Sequence, residues 1–288
     1  MSVYLDNAAT TPIAPEVIEA MLPVLKEGFG NPSSAHSYGR KSKALIETSR
    51  RSIAKHLNCL PSEIIFTSGG TEADNMAFNS AVNQMGVTHI VTSKLEHHAV
   101  GHTAEHMKSD AVRVSYVNVC EKGNVDLKDL ERLLQYEDKT LVSLMHANNE
   151  ISTLLPIDKV SELCRKYNAL FHSDTVQTMC HYKFDLKALD IDFIAGAAHK
   201  FHGPKGIGFL YINKDRKADV LIHGGAQERG LRGGTENVYG IVGMAKAMDL
   251  AYEDLLGHKN HIQELKTYMI DQLKEYFNTI NFHGETAP

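Results

Sequence analysis

The sequence predicts an α/β protein with a mostly parallel sheet and helices on both faces. A short apolar strand followed by a stretch of helical spacing recurs along residues 63–167, and further buried strands follow near 169–172 and 192–195. At 288 residues the chain is long enough to bury roughly three quarters of its unfolded surface, so a sizeable core is expected.

Residues 1–13 read as an irregular arm ending Thr10-Thr11-Pro12. A first helix is signalled by Ala14-Pro15-Glu16, with proline at a helix start and apolar spacing through Leu25. After a loop from Gly28 to Ser34, a basic amphipathic helix spans about Gly39 to Leu57. The strand–helix pairs are then 63–67 with 71–85, 89–92 with 97–107, 111–117 with 126–135, and 141–145 with 157–167. Ile207 to Ile212 reads as a strand returning hairpin-like from the turn at Lys200. Helical periodicity then runs from about Val238 to Phe277, long enough to imply a kink or two helices, with Gly257 as the possible break.

Hydrophobic residues at 43%, charged residues at 23% and a net charge of -5 are ordinary for a globular protein and argue against nucleic-acid or anionic-membrane partners. No signal-like leader or apolar run of membrane-spanning length is present, so a cytoplasmic location is expected. Cys59, Cys120, Cys164 and Cys180 lack paired spacing and read as reduced and mostly structural.

Lys200 lies between two histidines, His199 and Phe201-His202, just after an apolar strand and before Gly203-Pro204. Burial and cationic neighbours lower an ammonium's pKa, and a neutral amine condenses with aldehydes, whereas an ordinary loop lysine simply faces water. The order strand, glycine turn, helix start at Phe66 to Asn75 suits a phosphate, or equally a capping box from Thr71 to Asp74. Asp174 at a strand's carboxyl end either faces a ligand or caps a helix. Asn148-Asn149-Glu150 offers polar groups at another strand end, or shapes a turn. His98, His102 and His106 share one helix face, which reads as solvated rather than as a metal site, and no metal is expected. The glycines at 203–208 lack the strand-before, helix-after context of a dinucleotide fingerprint.

Taken together, Tyr4-Leu5-Asp6-Asn7-Ala8-Ala9-Thr10-Thr11-Pro12, Gly30-Asn31-Pro32-Ser33-Ser34-Ala35-His36, Thr67 to Asn75, Glu96-His97-His98, Asn148-Asn149-Glu150, His172-Ser173-Asp174, Ala198-His199-Lys200 and Arg232-Gly233-Gly234-Thr235 resemble the pyridoxal-phosphate cysteine desulfurases of the NifS/IscS group, within the class V aminotransferases. The resemblance implies the fold type I of pyridoxal-phosphate-dependent transferases, with 1–13 as arm, 14–250 as the large cofactor-binding domain, and 251–288 as a connecting helix and the start of an incomplete small domain. It implies pyridoxal 5'-phosphate held covalently by Lys200, Asp174 paired to the pyridine nitrogen, and His97 stacked on the ring and moving protons. Gln177 would bond the ring's phenolic oxygen, Asn149 would lie beside ring and substrate, and Gly70, Thr71 and His199 would hold the phosphate. Thr235 would reach the phosphate of a neighbouring subunit, implying a homodimer. Ala197 stands where the family commonly has serine, which removes one phosphate ligand at an expected cost of about 1 kcal/mol.

The implied activity is conversion of L-cysteine to L-alanine, with sulfur passed as a persulfide to iron–sulfur cluster assembly or transfer-RNA thiolation through an acceptor or scaffold protein. In the family the sulfur-accepting cysteine and the substrate-carboxylate arginine lie in a segment beyond the point where this chain stops, so the chain alone is expected to be inactive. Two other readings compete: a non-enzymatic cofactor-binding or dimerisation module, and another lyase or aminotransferase of the same fold.

Overall fold

In the computed structural model, which describes residues 2–136 and 139–282, seven strands form one sheet: β1 (Ile64–Thr67), β2 (His89–Thr92), β3 (Arg113–Tyr116), β4 (Thr140–Ser143), β5 (Leu170–Asp174), β6 (Phe193–Ala197) and β7 (Gly208–Ile212). Their spatial order is β1-β7-β6-β5-β4-β2-β3. β7 alone runs antiparallel, to both β1 and β6, so the remaining strands share one direction and one carboxyl edge. The mostly parallel sheet and the hairpin return after Lys200 are therefore as the sequence predicts.

All the strands but β3 are buried on both faces, and their alternation divides the core in two. Phe66, Phe171, Ile194, Phe209 and Tyr211 point to one side. There they meet helices α1 (Pro15–Glu27), α2 (Ser37–His56), α5 (Leu127–Leu134), α6 (Ile157–Lys166) and α7 (Val238–Glu253). Ile65, Ile90, Leu141, Phe193 and Leu210 point to the other side, against α3 (Gly70–Asn79) and α4 (His98–Met107). β3 forms one edge of the sheet and its residues are largely part-exposed, the expected state of a strand paired on one side only.

Local chemistry accounts for most helix starts. Pro15 opens α1, the His36 ring accepts from Gly39 N in α2, and the Asp126 carboxylate accepts from Lys128 N and Asp129 N in α5. The long C-terminal periodicity resolves into two helices, as expected, but the break falls at Asp254 rather than Gly257. Asp254 leaves helical geometry and its side chain accepts from Gly257 N, making it the cap of α8 (Leu255–Tyr276) and placing Gly257 in the first turn. A capping carboxylate outweighs the helix-weakening effect of a glycine three residues on. α7 packs on α1 and α2, whereas α8 has no fully buried residue.

Gly208 shows why a glycine stands where β7 begins. A Cβ there would lie 2.5 Å from Gly196 O and 2.8 Å from Gly69 Cα. The hairpin backbone thus packs directly against the turn that starts α3.

Candidate active site at the carboxyl edge of the sheet

At the common carboxyl edge, a cavity of about 430 Å³ is lined by Gly70 and Thr71 after β1, His97 before α4, Asn149 after β4, Asp174 at the end of β5 and Lys200 after β6. Open α/β sheets place ligands at this edge. The single turn Ala198–Lys200 directly follows β6, so Lys200 is delivered by the last buried strand before the hairpin.

The arm of residues 2–13 closes this edge. Thr11 N and Thr11 Oγ1 both donate to His199 O, at 2.9 and 3.0 Å, and Ala14 N donates to His202 O at 3.0 Å. His199 Nδ1 lies 3.2 Å from Thr10 Oγ1. Lys200 Nζ donates to Ala8 O, and Gln177 Nε2 donates to the same carbonyl at 3.0 Å. Gln177 is thus in the cavity as expected, with its amide directed at the arm.

Burial lowers the pKa of Lys200, against the opposing pull of Asp174 and Asp6. The amine is therefore more available than that of a solvated lysine, the property a carbonyl-condensing lysine needs. Burial also lowers the pKa of His199, helped by Lys200 and Lys205, favouring the neutral ring. Asp174 is 5% exposed, accepts from Val176 N at 2.9 Å, and has its pKa raised by burial despite Lys200 and His97. No helix starts there: the carboxylate caps a turn and keeps its position on the cavity wall.

The segment at Gly70 decides between cap and anion site. α3 begins at Gly70 with no side-chain cap, so Thr71 lies inside the helix and Asp74 points into the cavity wall. The capping-box reading is thereby set aside, and the first N–H groups of α3 are left to a ligand. A Cβ on Gly70 would meet Val176 Cγ2 at 2.6 Å, so only glycine lets the turn sit this close to the Asp174 loop. Glu72 accepts from Ser68 N and pairs with Arg232 at 2.8 Å, fixing the turn from its outer side.

His97 is the N-cap of α4, its Nδ1 accepting from Ala99 N at 3.1 Å. A neutral His97 therefore carries its proton on Nε2. Thr235 is the one predicted site residue that does not line the Lys200 cavity. It borders a separate cavity of about 200 Å³ with Ser68, Glu228 and Arg232. The rings of His98 and His102 lie tilted to one another, 4.9 Å between centroids, on the exposed face of α4.

Two carboxyls of this region had no functional reading in the sequence. Asp74 is one. Glu96 is the other; both its oxygens approach Met145 N, at 2.9 and 3.1 Å, and Ser93 Oγ donates to it at 2.8 Å. Burial raises its pKa to about 8, with Asp174 adding to the rise. The folded protein therefore holds a proton that the unfolded chain releases above about pH 4.5, and stability falls as pH climbs from there to about 8. Gln mimics the protonated form, so Glu96→Gln is expected to lose less melting temperature between pH 5 and pH 8.5 than the unaltered chain does; parallel losses would show that Glu96 is ionised throughout.

The residues present fit pyridoxal phosphate: an amine of lowered pKa, a buried carboxyl lacking a strong cation contact, and an uncapped helix start cradled by Gly70 share one cavity. The profile of the family described as Aminotransferase class-V matches residues 3–287. The chain belongs to the class-V aminotransferase family, whose members are pyridoxal-phosphate enzymes.

Within that family its relatives are cysteine desulfurases. It is 45% identical over 284 residues to the cysteine desulfurase IscS of Dictyoglomus turgidum, covering 98% of this chain and 72% of the relative. It is 44% identical over 274 residues to that of Methanosarcina thermophila, covering 94% and 68%. Among solved structures, a NifS-like protein superposes with a TM-score of 0.92 at 42% identity, covering 96% of this chain and 76% of that one. SspA in complex with cysteine superposes at 0.82 and 35% identity, covering 86% and 72%.

Proposed function

We propose that this chain supplies the cofactor site of a cysteine desulfurase, acting on L-cysteine with sulfur leaving as a persulfide. The observation that carries this is the meeting of Lys200, Asp174 and the Gly70 turn in one cavity of a class-V chain whose relatives bear that activity. The bound pyridoxal phosphate supplies an electron sink for bonds broken at the substrate's alpha carbon.

Each residue has a task that follows from its setting. Lys200, its ammonium pKa lowered by burial, would hold the cofactor's aldehyde and hold or return a proton at Nζ. Asp174 would hold a protonated pyridine nitrogen, since a buried carboxylate favours a cation beside it. His97 covers the cavity, with Nε2 as its proton-bearing atom. Gly70 and Thr71 N–H groups and the neutral His199 hold the phosphate, while Gln177 and Asn149 orient polar groups of cofactor and substrate. Thr235, facing another cavity in this protomer, serves the partner's phosphate in a homodimer. Residues 14–250 form the cofactor domain, and α8, with no fully buried residue, leads from it toward a small domain. The finer assignments, delivery to iron–sulfur assembly through an acceptor protein and a cytoplasmic location, belong to the same proposal. Among the described residues no helix is long and apolar enough to cross a membrane.

None of the four cysteines lines the Lys200 cavity. Cys164 and Cys180 are buried, and burial raises all three of the Cys59, Cys164 and Cys180 thiols, Cys59 to about 12. L-cysteine added to the cofactor-loaded chain is therefore expected to change the cofactor absorbance saturably without releasing sulfide. No spectral change at saturating L-cysteine contradicts the substrate assignment; sulfide release contradicts the expectation that the chain alone does not take sulfur from the substrate.

A further inference from the structure

Asp74 is a buried cavity carboxyl to which no role has been given, and it is more deeply buried than Asp174, at 1% exposure against 5%. It sits on α3 in the first turn and a half after Gly70. Its Oδ1 has no hydrogen-bond partner. Nε2 of His172 lies 3.3 Å away, within ion-pair distance, yet it too makes no hydrogen bond. His172 is fully buried on β5, two residues before Asp174. Its Nδ1 lies 2.8 Å from Ser143 Oγ on β4, and its ring meets Phe78 of α3 edge-on.

The charges around the pair decide where the proton is. The ionisable groups bearing on Asp74 are Asp174 and His172 on β5 and Glu96 ahead of α4, and no lysine or arginine pairs with it among the described residues. Burial, then Asp174 and Glu96, push its pKa well above the carboxylate range. Burial pushes His172 the other way, down to about 3. An imidazolium–carboxylate pair is disfavoured from both sides, since both groups are buried with no cation facing the carboxyl among the described residues. A neutral acid beside a neutral imidazole needs one proton between them and satisfies both orphaned atoms.

We propose that Asp74 is a positioning residue whose carboxyl stays protonated and donates a hydrogen bond to His172 Nε2, leaving His172 as the Nδ1–H tautomer that donates to Ser143 Oγ. With Asp74 uncharged, Asp174, at the end of the same strand as His172, has no ionised carboxylate facing it from α3. This consequence rests on the cofactor reading of the pocket; the protonation and tautomer do not.

The test uses the full chain without cofactor at pH 7. Infrared difference spectra against Asp74→Asn should show the C=O stretch of a protonated carboxylic acid lost in the variant, and ¹⁵N shifts of His172, assigned with His172→Gln, should show the proton on Nδ1. A proton on Nε2 overturns the proposal, and that measurement is made on the unaltered chain even where Asp74→Asn folds poorly. Absence of the carboxylic-acid signal overturns it equally. In the cofactor-loaded chain, Asp74→Asn should retain the cofactor within about twofold of the unaltered protein, with the pH midpoint of the cofactor absorbance unchanged. A shifted midpoint would mean that Asp74 carries charge. Failure of the unaltered chain to bind the cofactor would count against the pocket reading and leave the spectroscopic result standing.

Discussion

Arg50→Ala is expected to lower the unfolding free energy by about 3–5 kcal/mol, the range for stranding one member of a buried ion pair. The Arg50 side chain is 3% exposed and that of Glu228 2%. Their fork is bidentate, at 2.7 and 2.8 Å, and Arg50 also donates to Ile64 O at 2.7 Å while its guanidinium lies 4.5 Å from the centre of the Phe66 ring. Glu228 accepts from Phe66 N at 2.8 Å. The pair thus ties the segment around Glu228 to β1 just before the turn at Gly69-Gly70, and holds Glu228 and Arg229 at positive φ, 45° and 60°. Removing Arg50 leaves a buried carboxylate at the end of β1. In thermal melts the drop should be on the order of 10 °C. Because much of that loss is the stranded charge, Arg50→Met with Glu228→Gln, which keeps an acceptor for Phe66 N, should lose less than the sum of the two single changes. Strict additivity would show that the ion pair itself contributes nothing.

Lys200→Ala is expected to abolish the near-visible absorbance that the unaltered chain gains on incubation with pyridoxal phosphate. Lys200 is the lysine that lines the cavity, and it approaches from the β6 turn with Asp174 facing the same space. Lys205 lies outside the cavity lining. The variant also loses the contact with Ala8 O, so the arm should become more susceptible to proteolysis even without cofactor. An unchanged spectrum in Lys200→Ala would move the attachment to another amine.

The sheet was legible because each buried strand is short, apolar and bounded by turns, and because the helices after β2, β3 and β4 carry regular apolar spacing. Lys200 and Asp174 were legible for the same reason: Asp174 ends a strand and Lys200 lies in the turn just after one, where parallel sheets present their ligands. What escaped the sequence depends on approach between distant segments. Arg50 and Glu228 are separated by 178 positions, and nothing local marks either as buried. From sequence alone, Asp74 figures only in one of two equal alternatives, as the partner of Thr71 in a capping box, with Gly70 taken as turn. With the helix starting at Gly70, the same residue turns inward to His172. The break at Asp254 was misplaced by three residues because glycine is a familiar helix breaker, while a capping carboxylate is informative only once the chain direction is known.

Attachment of the cofactor at Lys200 is tested most directly by loading the chain with pyridoxal phosphate, reducing it with borohydride, and mapping the digest by mass. A single phosphopyridoxyl group on the peptide containing Lys200 is the expected result. The label on any other lysine, or spread over several, would contradict the assignment of this cavity as the cofactor site.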